Sequence, residues 1–183
     1  FQSVKMCKSK YVALFADDDL YICSSISKGI DFLNKNEKYV CWGGKIILFG
    51  ASNKYDTINS IPYNFSEMYS GREINFKSTY LEKRIFFYIK NPNAVIFHHM
   101  FRREALLYVY KKVLKSDLRI PNMIDLYANS LSCCLGLVKT GNDIIRMKQY
   151  HAASDEKSRD INNTISNPKF LGENKEYIKQ ITN

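Results

Sequence analysis

Three consecutive carboxylates, Asp17, Asp18 and Asp19, are the residues in this sequence best suited to chemistry. They close an apolar run, Tyr11 to Ala16, in the stretch YVALFADDDLY. Three adjacent acids repel one another unless something neutralises them. A divalent cation is the simplest neutraliser, because Mg2+ and its like take carboxylate oxygens. The plainer reading is a loop of solvated acids in which Asp18 or Asp19 caps the next helix.

The element that must hold these acids is a strand. A short continuous apolar run reads as a strand buried on both faces of a sheet. Open α/β sheets place ligands beyond the carboxyl ends of their strands, where the acids fall. After them, Ser24 or Ser25 is expected to cap a helix running to about Asn34, with Ile26, Ile30 and Leu33 on one face. Tyr39 to Phe49 reads as one or two strands. Gly43 and Gly44 within it suggest a kink, a bulge or a close backbone approach. Residues 50–71 carry loop chemistry, and a loop of that length suits the covering of a site.

Further along, Ser78 to Ile89 is expected to be helical, with Leu81, Ile85 and Tyr88 on one side. Ala94 to Phe101 reads as a strand, which would send His98 and His99 to opposite faces. Arg103 to Leu114 and Asn122 to Leu135 are amphipathic helices, the second introduced by Pro121. Asp143 to Tyr150 is a last strand, and beyond Ala153 the chain is polar. Alternating strands and helices give an α/β fold class.

The chain has 183 residues, room for one sizeable core. Nothing approaches the roughly 18 continuous apolar residues of a membrane span, and no secretory signal opens it. The first residue is Phe1, so the chain is expected to be a piece of something longer. Its net charge is +9, concentrated between Lys83 and Arg119, where nine Lys and Arg face Glu104 and Asp117 for a net +7. That region suits a diphosphate, an anionic glycan, nucleic acid or a lipid surface, or is simply a solvated helix face. Five cysteines, none in C-x-x-C spacing, read as free thiols in a reducing compartment.

The order of features resembles the GT-A fold glycosyltransferases of the family-2-like type. It rests on a strand ending in ADDD, a helix ending in FLNKN, then YVCWGG. The later run STYLEKRIFFYIKNPNAVIFHHMFRREAL adds a helix with a central arginine before a strand ending in arginine. The resemblance covers roughly Tyr11 to Ser154. It implies a mixed central sheet flanked by helices over residues 1–154, with a polar extension over 155–183. In this family roughly 100 residues of nucleotide-gripping βαβ structure precede the acidic strand. The chain is therefore expected to lack that N-terminal half.

The same resemblance implies transfer of a sugar from a nucleotide-diphosphate donor, a UDP-sugar by preference, to a glycan or other hydroxyl acceptor, with inversion. Asp19 would reach a divalent cation, Mn2+ or Mg2+, and His151 would join its shell. Asp17 would contact the ribose or donor sugar, and Asp18 could serve either role. Arg102 or Arg103 would pair with donor phosphate, because guanidinium binds phosphate bidentately. Asp125 would take the acceptor proton. The family usually has two acids at that point and this chain has one, so helix stabilisation is its alternative role. Trp42 would stack on a sugar or lie in the core.

The expected location is cytoplasmic, with peripheral contact at a membrane surface through the basic region. Nucleic acid is the disfavoured partner. Two other functions fit parts of the sequence. A haloacid-dehalogenase-like phosphatase would use Asp17 as nucleophile, but Tyr21 stands where Thr or Val is expected. A nucleic-acid-binding module would use the basic region, where aromatics interleave.

Overall fold

The computed structural model describes residues 1–14, 16–17, 19–51, 63–68, 75–90 and 96–149. Two long strands form its spine, β3 (Tyr39–Ala51) and β7 (Leu137–Gln149), which pair in parallel. Parallel pairing requires a long crossover, and the chain between them supplies it with three helices. β6 (Met100–Arg102) flanks β3 antiparallel, and β1 (Tyr11–Ala13) flanks β6 antiparallel, so β1 runs parallel to β3. β2 (Asp19–Tyr21) pairs antiparallel with the far end of β7. The strand order is β1-β6-β3-β7-β2, with β4 (Tyr63–Met68) beside β3 and β5 (Asn75–Phe76) beside β7. The chain is thus a mixed α/β fold.

Both faces of the sheet are covered, because both present apolar side chains. On one face lies α2 (Cys23–Lys35), whose Leu33 packs with Trp42, Met100 and Ile145. Gly29 lets this helix approach. A Cβ there would run into the Trp42 ring and the Met100 methyl. Trp42 is accordingly a core residue, 4% exposed. On the other face lie α1 (Gln2–Met6), α3 (Leu81–Lys90), α4 (Arg103–Lys115) and α5 (Pro121–Leu135). Val4, Tyr88, Leu106 and Cys133 from these helices share a cluster with Val12, Cys41, Phe101 and Val138 of the sheet. A second cluster, with Val109, Met123, Tyr127 and Leu131, seals α4 against α5.

Several expectations are revised. The serines do not cap α2. Ile22 precedes the helix, and Ser25, inside it, donates its hydroxyl to the Ile144 carbonyl at 2.6 Å. Residues 96–98 form a 3-10 turn and the strand begins only at Met100, so His98 and His99 do not alternate across a sheet. Part of the expected loop is strand, residues 63–68, because β3 runs on to Ala51 and its edge needs a partner. β7 begins directly after Gly136, earlier than the expected Asp143.

Two arginines lock helix ends. The last turn of a helix leaves carbonyls without intrahelical donors. Arg102 serves α2: its Nη2 donates to Leu33 O at 2.6 Å and Asn36 O at 3.1 Å, and its Nε to Tyr39 O at 2.8 Å. Arg84 serves α5, donating to Cys133 O at 2.8 Å and Cys134 O at 3.2 Å while also holding Ser78 O and Thr79 O.

Candidate functional site at the acidic strand end

Hydrogen bonding of β1 stops at Ala13, opposite Met100. The chain then turns, and the Asp19 amide donates to Ala16 O at 3.2 Å, closing the turn. Asp17 sits on it, exposed. Asp19 opens β2 opposite Lys148, and Tyr21 lies opposite Arg146. Alternate residues of a strand share a side, so Asp19, Tyr21, Arg146 and Lys148 form one four-residue patch on the β2–β7 pair.

Within that patch Asp19 Oδ2 makes an ion pair with Arg146 Nη2, both residues buried. Tyr21 donates its hydroxyl to Leu14 O at 2.8 Å. Burial raises the Tyr21 pKa, with the Arg146 charge opposing and the Asp19 charge assisting. Asp19 Oδ1 and Arg146 Nε have no hydrogen-bond partner among the described residues. A buried carboxylate oxygen without a donor is costly, and it is the hard oxygen ligand that Mg2+ or Mn2+ takes. Arg146 on the other oxygen fixes its direction, as an outer-shell partner does for a ligand. No three His, Cys, Asp or Glu side chains gather around one point among the described residues. The donor chemistry that fits a cation is therefore the Oδ1 oxygen of Asp19, with Asp17 on the adjoining turn.

Asp125 lies in the second turn of α5, in the helical layer that also holds α3 and α4. α5 reverses at Gly136 straight into β7, so its first turns lie toward the carboxyl ends of β3 and β7. About 15 Å of helix separates Asp125 from Leu135, which β7 spans in roughly four or five residues. Asp125 is thus at about the level of Gly141, roughly 16–23 Å along β7 from Arg146 and Lys148, and it is half-buried. α5 also packs on the 96–98 turn, which leads into His99.

His99 is buried against β3 and β7. Its Nε2 lies 3.2 Å from Thr140 Oγ1, and its ring covers Gly43, where a Cβ would come within 2.5 Å of it. That close approach accounts for the glycine. Burial lowers the His99 pKa to about 4, so the ring is neutral at pH 7.

Arg102 and Arg103 are not brought to this edge. Arg102 pairs with Tyr11 at the amino end of β1, where it caps α2. Arg103 holds Lys5 O at 3.2 Å and pairs with Glu104, the salt bridge expected of a helix start. The phosphate role expected of these two has no support in this arrangement. Asp18 and His151 lie outside the described residues, as does the boundary at residue 154.

Sequence reasoning missed Arg146 and Lys148. DIIRMKQ signals only a strand of mixed polarity. Finding the Asp19 partner requires the register of β2 on β7, which local sequence does not carry.

All five cysteines are free, with Cys41 and Cys133 buried. No helix among the described residues is long and apolar enough to cross a membrane. Compared with known proteins, the chain matches no family model and no curated sequence.

Proposed function

We propose that the chain is the C-terminal portion of a GT-A-type glycosyltransferase domain, moving a sugar from a nucleotide-diphosphate donor to an acceptor hydroxyl with inversion. One observation carries this reading. A mixed, helix-covered sheet carries the exposed Asp17 turn after β1 and the buried Asp19–Arg146 pair at the start of β2.

Departure of a nucleoside diphosphate builds negative charge on phosphate oxygens. A divalent cation, Mn2+ or Mg2+, supplies charge stabilisation there when bound, and Asp19 Oδ1 with Asp17 are the residues that would hold it. Arg146 keeps the Asp19 carboxylate aimed. Lys148, opposite Asp19 in register, adds positive charge on the same side. Asp125 takes the proton from the acceptor hydroxyl as it attacks the anomeric carbon. The acceptor is a glycan or another hydroxyl compound.

The phosphatase reading draws less support. It asks the acid two residues after the nucleophile Asp17 to donate a proton, and that acid, Asp19, is buried in an ion pair.

The test measures UDP release from a panel of UDP-sugars, with and without Mn2+. Asp17→Asn and Asp125→Asn are the informative variants, since neither residue is buried. A general base contributes about 100-fold or more, so Asp125→Asn should lower kcat by at least that much with an unchanged melting curve. A rate equal to wild type would remove Asp125 from the mechanism. Release of phosphate from an aryl phosphate, without sugar transfer, would replace the reading.

A further inference from the structure

The outer surface of α3 is built unlike that of a solvated helix. Arg84, Tyr88 and, in part, Ile85 form its inward stripe. Outward it presents Phe86 at 58% and Ile89 at 54% exposure, with Phe87 beside them and Tyr80 and Leu81 at its start. Exposed large apolar residues scattered singly are ordinary, but Phe86 and Ile89, three apart on one helix face with Phe87 adjoining, make a patch.

The lysines of this helix lie on its outer side. Lys90 Nζ is 4.4 Å from the centre of the Phe86 ring, and Lys83 Nζ is 4.9 Å from that of Tyr80. α4 belongs to the same helical layer, since both helices pack on α5 and join the cluster on one sheet face. Its exposed side adds Lys111, Lys112 and Lys115, with Lys112 over the Tyr108 ring, and Leu114. The layer therefore combines aromatic and aliphatic side chains with a surplus of lysine.

We infer that this layer, with α3 leading, seats the protein on an anionic lipid surface. The chemistry of the occupant follows from the combination. Aromatic rings and long apolar side chains partition into the headgroup boundary, and lysines near an anionic leaflet are drawn to its phosphates. Lysine stems lying along apolar rings can extend their charges to the phosphates while the rings enter. A partner surface made only of acids would leave Phe86 and Ile89 in water. An apolar partner would desolvate Lys83 and Lys90 without compensation. The inference is independent of the sugar-transfer reading.

The test is co-sedimentation of the whole chain with vesicles of phosphatidylcholine alone and of phosphatidylcholine with phosphatidylserine. Binding is expected only to the second, and is expected to weaken as salt is raised. Phe86→Ser/Ile89→Ser and Lys83→Glu/Lys90→Glu should each weaken it by about tenfold or more, with melting curves like wild type, because all four residues are exposed. Three results would overturn the inference: equal binding to both vesicle types, wild-type binding by both variants, or no binding at all. So would a monomer–dimer equilibrium, or oligonucleotide binding, lost in the same variants without vesicle binding by wild type.

Discussion

Arg146 neutralises Asp19 from the neighbouring strand, two residues out of direct register, and both side chains are buried. The acid best suited to hold a cation is thus also half of a buried ion pair. Removing one partner of such a pair leaves an uncompensated charge, whereas removing both is far milder.

Asp19→Ala is therefore expected to destabilise the fold by about 3–5 kcal/mol, as is Arg146→Met. The double variant Asp19→Ala/Arg146→Met should regain much of that loss. Urea denaturation of the four proteins gives the coupling. Additive effects would mean the two groups do not meet. Asp19→Asn keeps the shape but still leaves the Arg146 charge uncompensated, so Asp17→Asn, at an exposed position, is the better probe of cation binding.

His99 sets an acid limit on stability. Its folded pKa is lowered to about 4 from 6.5 by burial. The unfolded chain then binds a proton that the native state refuses between those values, so stability rises with pH across the window. It is full above about 6.5 and lost as pH falls toward 4, a contribution of about 3 kcal/mol. Denaturation at pH 7 and pH 4.5 should show most of this loss in wild type. In His99→Gln the slope should flatten.

Gly43→Ala places a methyl against the buried His99 ring, within 2.5 Å. The ring is hemmed by Thr140 and has little room to move. A loss of about 1–3 kcal/mol is expected, the range for overpacking. A double variant Gly43→Ala/His99→Ala should show less than the sum, and an additive result would deny the contact.

Arg84→Lys keeps the charge and loses the planar fork that holds Cys133 O and Cys134 O. A fall of about 1–3 kcal/mol in stability is expected, with hydrogen exchange quickened at the end of α5. Arg102→Lys should act in the same way on α2. If Arg102→Lys left stability intact and raised the KM for a nucleotide-sugar, the phosphate role would return.

Thiol chemistry separates the cysteines. Cys7 and Cys23 are exposed and should react with a disulfide reagent in the native protein. Burial raises the pKa of Cys41 and Cys133, and the thiolate is the reacting form. These two should react only on unfolding, and fast native labelling of either would contradict the packing of the sheet against α5.

The residues alone determined much of this protein. Apolar periodicity located α4 and α5 to within a residue or two, and the run from Tyr39 gave the long strand β3, because those signals are local. The acids were expected to close a strand over Tyr11 to Ala16, but β1 stops at Ala13 and Asp19 instead opens β2, because its partner strand β7 comes from the far end of the chain. Tertiary structure decided what each polar residue does. It paired Asp19 with Arg146, turned Arg84 and Arg102 into clamps on distant helix ends, and set His99 over Gly43. Each of these depends on which strands lie side by side and in what register. A shift of one residue there would send every side chain to the opposite face.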